Sequence, residues 1–405
     1  MPISDKNQDR PSILLVQQAL SLIFVSTFRE TSKSTPMERY CGLDVHKDSV
    51  FMCIIDEFGF KKEHKFSTLT SDLLLLKDSL LDSSVRQVAM ESTSIYWIPI
   101  WRVLIDSFEL KLVNPLFIKQ LPGRKTDIRD AHWIALVLMK GLAYGSYVPD
   151  QQIQSLRQYE RRYSSLNKRI VHTEQCLDMQ LQRCNIRFSN YISDIGSQAM
   201  HKVVKSLILG ITDPDELLQC AHTRTKNKHG EDVIRESLNG VVSQVDRDML
   251  TLYMEELELY HRQQEECQMR MMEICQESYE LELSLLMTIP GIKIASAMTI
   301  LSELGNDLSA FKTSSNLVGW AGLRPRNDES AGKIKSRKTM HGNKFLRVIL
   351  VQCAWANSRS KKSRLGHKYS LLAKRMAPQK ALVAIARKLL VIIWNVLTKK
   401  EPYRV

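Results

Sequence analysis

The succession of short apolar runs after Arg39 is the feature that most constrains the fold of this chain. The stretch RYCGLDVHKDSVFMCIIDEFG, residues 39–59, reads as a strand, a short polar turn and a second strand, and KKEHKFST adds a third. The later runs LTSDLLLLKDSLLDS, VRQVAMES, SIYWIPIWRVLIDS and ELKLVNP alternate between helical and strand patterns. Another helix begins near Asp127. The order βββαβαβα predicts a mixed sheet with helices on its faces.

This order of elements is typical of α/β domains with a ribonuclease H-like fold, which we assign to residues 37–150. From Asp150 to about Glu282 the sequence is long, polar and helical, with little strand signal. Apolar residues at 242, 245, 249, 252 and 259 give a spacing that is heptad-like at first. Such a spacing predicts either an antiparallel or a partner-binding coiled coil. We therefore predict a helical coiled-coil linker over residues 151–285.

The positive charge of the chain is concentrated at its C-terminal end. The formal net charge is +13, but the part from Leu286 onward holds 23 Lys and Arg against 5 Asp and Glu, so residues 1–285 carry a net −5. This asymmetry favours a polyanionic partner, first of all nucleic acid, over a merely soluble basic surface. The segment Val241–Leu285, with 11 acids and 3 arginines, is not expected to lie on DNA.

Residues 286–405 are predicted to form a mainly helical, basic domain. LLMTIPGIKIASAMTILSELG reads as helix, turn and helix, which is either a helix-hairpin-helix motif that meets a phosphate backbone or a simple helical hairpin. GLRPRNDESAGKIKSRKTMHGNK is interpreted as a long basic loop, as is CAHTRTKNKHGED further upstream. The last apolar run, KALVAIARKLLVIIWNVLTKK, predicts a helix too short to span a bilayer.

The N-terminus and the cysteines bear on where the chain works. Residues 1–36 are interpreted as a disordered extension. Their apolar run is not read as a signal peptide or membrane span, because Gln17 and Gln18 interrupt it and it lacks a basic n-region and a clear cleavage site. The eight cysteines form no CxxC pair and no Cys/His metal spacing, which predicts buried free thiols in a reducing cytosol. We expect a cytoplasmic protein with no membrane partner.

Four acids stand where they can meet at one pole of the predicted sheet. Asp44 ends the first strand and Glu91 ends a later buried one, while Asp127 and Asp130 open a helix. Clustered carboxylates raise each other's pKa unless a cation neutralises them, and their oxygens suit Mg²⁺. Two such ions, about 3.5–4 Å apart, activate a nucleophile and stabilise a leaving oxygen in phosphodiester chemistry. The alternative for the helical pair is a solvated first turn that suits the helix dipole.

At these residues the sequence resembles a known family. The stretches YCGLDVHKDSV, AMESTSIYW, LVNPLFIKQLPGRKTDIRDAHWIA and IPGI…LVGWAGLRPRNDES are similar to those of the DEDD transposases of the IS one-ten family, relatives of the Piv/MooV invertases. The resemblance runs from about Met37 to the C-terminus, and PGRKTDIRDA and GLRPR…S are its most specific blocks. It implies an N-terminal RuvC-like nuclease domain, a coiled-coil linker used in assembly and a C-terminal transposase domain.

The resemblance also implies roles for single residues. Asp44, Glu91, Asp127 and Asp130 match the family's acidic metal ligands, which implies Mg²⁺ or possibly Mn²⁺ as cofactor. Ser330 matches the serine that attacks DNA and holds a covalent phosphoserine link. The resemblance further implies DNA element ends and target as partners, a bridge RNA as guide in many members, and a nucleoid-associated bacterial enzyme. It would be a dimer or tetramer in which the acids of one subunit meet the serine of another.

Three positions depart from the family pattern. Ser94 stands where the family often has glycine in the turn after Glu91. Lys293 replaces the second glycine of PGIG and adds a charge that can face phosphate. At Ser330 the chain has Ser-Ala-Gly where the family more usually has Ser-Gly, which leaves the alignment of this loop open by one residue.

Basic residues beside these motifs are candidates for contacts with backbone phosphate, which position nucleic acid without reading its sequence. They are Arg124, Lys125, Lys293, Arg324, Arg326, Lys333, Lys335, Arg337, Lys338, Lys344 and Arg347.

Two other functions stay open at this point. An RuvC-like endonuclease would use the acids to hydrolyse branched DNA with water, and Ser330 would then be an ordinary loop serine. A non-catalytic nucleic-acid-binding protein would need neither the acids nor Ser330. His46 and His132, beside the acids, are either hydrogen-bond donors to them or structural histidines. The aromatic pair Tyr96 and Trp97 is either core or a stacking surface for a base.

Overall fold

A computed structural model describes residues 38–114, 127–143, 145–326, 328–330, 332–336, 338–360 and 363–404, and all these side chains except those of 127–129, 328–330 and 334. The predicted disordered extension, residues 1–36, lies outside the described residues, as do Arg124, Lys125 and Arg337. The chain forms two compact units, which divide between Val148 and Pro149. The four-part division at residues 36, 150 and 285 stays a prediction.

The first unit contains a five-stranded mixed sheet. Its elements are β1 (Arg39–Val45), β2 (Ser49–Ile55), β3 (Lys61–Ser67), α1 (Thr70–Asp82), β4 (Val85–Glu91), α2 (Trp97–Leu104), β5 (Glu109–Val113) and α3 (Asp127–Met139). The strand order is β3-β2-β1-β4-β5. The first three strands pair antiparallel, whereas β1, β4 and β5 run parallel. The predicted order βββαβαβα is confirmed, and the sheet is consistent with a ribonuclease H-like or RuvC-like domain.

The two faces of this sheet follow from the alternation of side chains along each strand. In β1, Cys41, Leu43 and Val45 face one way and pack with α1 and α2. Tyr40 contacts the cluster on the other face, which α3 covers, and Gly42 lies against the backbone of α3. Since successive residues alternate, Asp44 shares the α3 face with Tyr40 and Gly42. The alternation thus places an acid at the end of a strand, beneath a helix.

The second unit is almost entirely helical. Its elements are α4 (Gln151–Arg183), a 3₁₀ turn (Phe188–Tyr191), α5 (Gln198–Ile208), α6 (Pro214–Leu218), α7 (Thr223–His229), α8 (Glu231–Ser237), α9 (Gln244–Ser278), α10 (Glu280–Met287), α11 (Ile294–Leu304), α12 (Ser314–Trp320), β6 (Asp328–Ser330), β7 (Lys333–Ser336), α13 (Lys344–Ser358), α14 (Arg364–Ala373) and α15 (Pro378–Lys399). The upstream basic segment predicted as a loop is instead the short helix α7. His222 caps that helix by accepting a hydrogen bond from the backbone N–H of Arg224.

The long helices α4 and α9 pack antiparallel within the one chain. Thr173 donates a hydrogen bond to Glu256, and Gln180, further along α4, donates to Asp246, earlier in α9. The start of α4 and the end of α9 join the core of the C-terminal helices. Their opposite ends join a second core with α5, α6 and α8. The coiled-coil character of the pair stays a prediction.

The turn between α10 and α11 is fixed to α13. A Cβ on Gly291, whose φ is +81°, would overlap the side chain of Asn357, which is itself buried. Asn357 donates hydrogen bonds to the carbonyls of Pro290 (2.6 Å) and Cys353 (3.0 Å). The helix–turn–helix reading is therefore correct as geometry, and its role as a helix-hairpin-helix phosphate site stays a prediction.

The last helix is a core helix of this unit. Within the described residues, α15 is the one helix long and apolar enough to cross a membrane by length and composition. The prediction that it is too short was wrong, because it begins at Pro378 and has 22 residues. Ile385, Leu389 and Ile393 are fully buried in the C-terminal core. All eight cysteines are free thiols and six are buried, as predicted.

Candidate active site

Asp44 and Glu91 lie side by side at the carboxyl ends of neighbouring parallel strands. Leu43 of β1 is in register with Met90 of β4, so the two acids are the next residues on each strand. Asp44 is 5% exposed, and Glu91 is partly exposed. Because Ala89 belongs to the cluster beneath α3, alternation puts Glu91 on the α3 face as well. The sheet therefore brings these two predicted acids together.

Helix α3 lies directly on β1 at Gly42. A Cβ at this position would overlap the carbonyl oxygen of Ala131 and the backbone nitrogen of Ala135. Only glycine lets a helix backbone approach a strand backbone so closely. Asp130, which precedes Ala131, is partly exposed, and its negative charge acts on Asp44. Asp127 begins the same helix, and its side chain lies outside the described residues.

The electrostatics of Asp44 show how the acids interact. Burial, together with the negative charges of Glu91 and Asp130, raises the pKa of its carboxyl to about 6. His46 opposes this shift, because its Nε2 lies 3.1 Å from Asp44 Oδ2. A carboxyl whose charge is disfavoured by burial and by like neighbours is one that a bound cation would stabilise in its ionised form.

The other predicted residues of this region have structural contacts. His132 Nδ1 lies 3.5 Å from Cys53 Sγ in β2, and burial lowers the pKa of this imidazole. Tyr96 and Trp97 pack partly buried against the sheet core. Trp97 also donates an indole hydrogen bond to the carbonyl of Ser94. These contacts favour the structural reading of His132 and the core reading of the aromatic pair.

The donor set suits a hard cation, although the described side chains do not form a complete site. Asp44, Glu91 and Asp130 offer only carboxylate oxygens on this face, the ligand type that Mg²⁺ prefers. Among the side chains the structure describes, no group of three or more His, Cys, Asp or Glu is arranged to hold a metal ion. The fourth predicted ligand, Asp127, is outside that set.

Ser330 lies in the second unit, in a β-hairpin rather than in the loop predicted from its Gly and Ser content. β6 and β7 pair antiparallel, with Ser330 opposite Lys333 at the closed end. The pairing continues outward through a bridge between Pro325 and Thr339. The loop prediction was wrong because the segment Lys-Ile-Lys-Ser alternates polar and apolar residues, a strand pattern too short to stand out beside its glycines.

Two family models match separate parts of the chain. The model of DEDD transposases of the IS110 type, described as "Transposase", matches residues 41–186. The model described as "Transposase IS116/IS110/IS902 family" matches residues 283–370. The chain belongs to the IS110 family of transposases. It is thus an enzyme of the class that cuts and rejoins DNA, and the IS one-ten resemblance of its motifs is confirmed.

Two relatives match this IS110-family transposase over nearly its whole length, and a third matches a shorter part of it. The "Transposase for insertion sequence element IS1111A" of Coxiella burnetii is 24% identical over 94% of this chain and 95% of its own. The "Pilin gene-inverting protein" of Moraxella bovis is 24% identical over 90% of this chain and 97% of its own. A "Putative transposase y4pF/y4sB" of Sinorhizobium fredii is 33% identical over 29% of this chain and 31% of its own.

The basic residues predicted to meet nucleic acid in this transposase fall mostly on one hairpin. Two backbone hydrogen bonds extend the hairpin beyond β6 and β7. The N–H of Arg326 donates to the carbonyl of Lys338, and the N–H of Met340 donates to the carbonyl of Arg324. Five candidate cations on this extended hairpin are exposed: Arg324, Arg326, Lys333, Lys335 and Lys338. Lys293 and Lys344 are also exposed, at the starts of α11 and α13, and Arg347 is half-buried. The phosphate contacts of all of them stay predictions.

Gly42 is a positioning residue that the sequence reading missed. It stands inside YCGLDVHKDSV, two residues before Asp44, and was read there only as part of a strand. A glycine within a strand pattern is itself the signal, because it marks a bulge or a close backbone approach. In this transposase the approaching backbone is that of the helix which carries Asp127 and Asp130.

Proposed function

We propose that the chain is a Mg²⁺- or Mn²⁺-dependent recombinase of an insertion sequence that exchanges DNA strands through a serine nucleophile. Asp44, Glu91, Asp127 and Asp130 would hold the metal ions. The ions would activate the nucleophile and stabilise charge on the leaving oxygen. The observation that carries the proposal is the buried carboxyl of Asp44 beside Glu91 and Asp130, an arrangement that a cation would stabilise.

In the proposed reaction Ser330 supplies the attacking oxygen. The Oγ–phosphorus bond forms while the bond from phosphorus to a deoxyribose oxygen breaks, and that oxygen takes up a proton. The Ser330 proton passes to a base or to solvent. Attack on the phosphoserine by a deoxyribose hydroxyl of a second strand then rejoins the DNA and releases the serine. Each step replaces one phosphodiester bond with another, so no external energy source is needed.

The partners proposed are the DNA of the element ends and target, a guide RNA and further copies of this chain in a dimer or tetramer. The net charge of +18 from Leu286 onward supports the nucleic-acid partners. Large apolar side chains exposed on α4 and α9 support assembly through these helices, among them Val171, Met179 and Leu252. The enzyme would act in the bacterial cytoplasm at the nucleoid.

The decisive experiment traps a covalent protein–DNA adduct. Wild type, Ser330→Ala, Asp127→Ala and a control, Ser336→Ala on the other strand of the hairpin, are incubated with Mg²⁺, the element's junction and flanking DNA, and its non-coding RNA. The products are separated under denaturing conditions. The proposal expects an adduct with wild type and Ser336→Ala, and none with Ser330→Ala or Asp127→Ala.

Other outcomes would identify the alternatives. Cleaved DNA without an adduct, unaffected by Ser330→Ala and lost in Asp127→Ala, would mean a hydrolytic endonuclease that uses water. Binding that needs no metal, with no cleavage by any variant, would mean a non-catalytic nucleic-acid-binding protein.

A further inference from the structure

A cavity of about 450 Å³ lies within the second unit, between α4, α9, α11 and α13. Its volume falls in the range of ligand pockets, roughly 300–1,000 Å³. Among the described side chains, those of Asp44, Glu91 and Asp130 do not line it. Most of its side chains are polar or aromatic, and the most buried of the charged ones is Glu160 of α4.

Glu160 is buried with only one of its two carboxylate oxygens hydrogen-bonded. The residue is 2% exposed. Its Oε1 accepts a hydrogen bond of 2.8 Å from Ser164, whereas its Oε2 is buried and has no hydrogen-bond partner in the described part of the chain. A buried carboxylate oxygen without a partner is rare in folded proteins, because its lost hydration is not replaced. This oxygen therefore indicates a missing hydrogen-bond donor.

The neighbouring Glu303 shows what a purely structural buried acid looks like here. It is 1% exposed, yet both of its oxygens are satisfied. Asn343 donates a hydrogen bond of 2.6 Å to Oε2, and Arg161 lies 3.4 Å from Oε1. Arg157 adds a second ion pair, at 3.7 Å from Oε2. Glu160 lines the cavity, whereas Glu303 does not. The charges of Arg161 and Arg157 favour the ionised form of Glu160, but Ser164 supplies its hydrogen bond and Oε2 has no partner in the described part of the chain.

The other lining groups favour an anionic ligand with a flat ring. Lys168 and Lys344 line the cavity and are exposed, so a cationic side chain from another protein would be repelled there. Tyr163 and Phe345 offer half-exposed aromatic rings, and the Arg161 guanidinium lies 4.7 Å from the Phe345 ring centroid. A nucleotide combines the required parts: a phosphate for the lysines, a flat base for the rings and N–H groups for Glu160.

The exposed face of α13 continues away from the cavity. Val348 and Gln352 line the cavity, and Trp355 and Arg359 follow them on the same helix face at the next turns. Trp355 is 49% exposed, and the Arg359 guanidinium lies 3.6 Å from its ring centroid. An exposed aromatic ring beside arginine is a stacking platform for the next base of a single strand.

We propose that this cavity binds one unstacked guanine of a single-stranded nucleic acid, whose chain continues along α13 past Trp355. Glu160 would accept the N1–H and N2–H of the guanine Watson–Crick edge, one on each carboxylate oxygen, since Oε1 keeps a second lone pair beside its bond to Ser164. Cytosine and adenine offer only one amino group. Uracil and thymine place two carbonyl oxygens against the carboxylate. We therefore expect guanine to bind most tightly in the cavity and uracil or thymine to bind most weakly.

The test measures binding of labelled short oligouridines with a single central guanine, cytosine, adenine or uridine, in EDTA so that no cleavage occurs. Matched oligothymidines form the DNA arm. We expect the guanine-bearing strand to bind about tenfold tighter than the uniform strand. Glu160→Gln, which keeps the size of the side chain, should abolish this preference. The control Glu265→Gln, an exposed acid on α9 outside the cavity, should keep it.

Further variants separate the parts of this inference. Trp355→Ala should weaken all strands alike and leave the guanine preference intact. A preference in the RNA arm alone assigns the pocket to an RNA partner, and equal preference in both arms assigns it to either strand type. Equal affinity for all four central bases, or a preference that survives Glu160→Gln, would overturn the proposal. So would a change of oligomer size in Glu160→Gln without a change in base preference, which would mean that a second copy fills the cavity.

This inference depends on the chain being a nucleic-acid enzyme but not on its proposed serine chemistry. Ser330→Ala should keep the guanine preference, because the side chains that line the cavity belong to α4, α9, α11 and α13, whereas Ser330 lies on the hairpin. If no adduct forms but the guanine preference is intact, the proposed serine chemistry is wrong and the guanine pocket is supported. If the adduct forms but no guanine preference is found, the guanine pocket is wrong and the recombinase is supported.

Discussion

The backbone of Gly42 in β1 touches the backbone of Ala131 in α3, with no room for a side chain between them. This contact joins the strand that ends in Asp44 to the helix that carries Asp130. The distance between the two predicted ligands thus depends on a glycine that carries no functional group.

Replacing this glycine should affect both stability and catalysis. Gly42→Ala would force α3 away from the sheet, since the new Cβ meets backbone atoms that cannot rotate away. We expect a loss of about 1–3 kcal/mol in the free energy of unfolding, typical of overpacking, and a severe loss of Mg²⁺-dependent cleavage. Denaturant unfolding and a cleavage assay would measure the two effects.

The matched control for this change is Gly145→Ala, in the same unit. A Cβ there would make only ordinary contacts, 3.9 Å from Lys111. We expect its stability and activity to remain near those of wild type. Equal behaviour of the two variants would show that α3 does not need its close approach to β1.

The sequence predicted the first unit well because its signals are local. Each strand of the sheet is a short apolar run bounded by polar turns, and the acids at 44 and 91 come where those runs stop. Parallel pairing of β1 and β4 then brings the two ends together. The contact between Gly42 and α3 was not predictable in the same way, because it depends on which helix covers which face.

The second unit was harder to predict because several of its elements are short and polar. The hairpin that carries Ser330 has strands of 3 and 4 residues, and α7 has 7. Neither length gives enough periodicity to distinguish a strand or helix from a loop. The unpaired oxygen of Glu160 is also invisible in the sequence, since it results from side chains on four separate helices that leave a cavity.

The ionisation of Asp44 should make the metal-free enzyme less stable as the pH rises. Its pKa is raised to about 6 in the folded chain, from the usual 3.8 of an aspartate. Between these values the folded state binds more protons than the unfolded state, so the free energy of unfolding falls as pH increases from about 4 to about 6. The loss is roughly 2–3 kcal/mol above pH 6, and it is absent below pH 4.

Asp44→Asn tests this sign directly, because asparagine cannot ionise. In EDTA the variant should be more stable than wild type by roughly 2–3 kcal/mol at pH 7–8 and equal to it near pH 4. Adding Mg²⁺ should stabilise wild type more than the variant. The exposed Asp48→Asn serves as the control. A variant that is less stable than wild type at pH 8 would contradict the raised pKa.

Glu303 should be among the most sensitive positions of the second unit. It joins α11 to Arg157 and Arg161 of α4 and to Asn343, the N-terminal cap of α13. Glu303→Ala removes a buried acid that pairs with both arginines and accepts from Asn343, and we expect a loss of about 3–5 kcal/mol in the free energy of unfolding. Glu258→Ala, which breaks an exposed pair with Lys205, should have little effect in the same denaturant measurement.

Ser94 departs from the glycine that the family often has, and its backbone shows the consequence. Its φ is +49°, in the left-handed region, where an L side chain is disfavoured by about 1–2 kcal/mol. The side chain is exposed, and the carbonyl that receives the Trp97 indole belongs to the backbone, so glycine would keep that bond. Ser94→Gly should therefore raise the free energy of unfolding by about 1 kcal/mol without altering cleavage.

The control for this change is Ser92→Gly, at a residue outside the left-handed region, which should lower the free energy of unfolding by about 0.5–1 kcal/mol. A loss of stability in Ser94→Gly, measured by denaturant unfolding of both variants, would mean that the serine hydroxyl contributes a bond that outweighs the backbone strain.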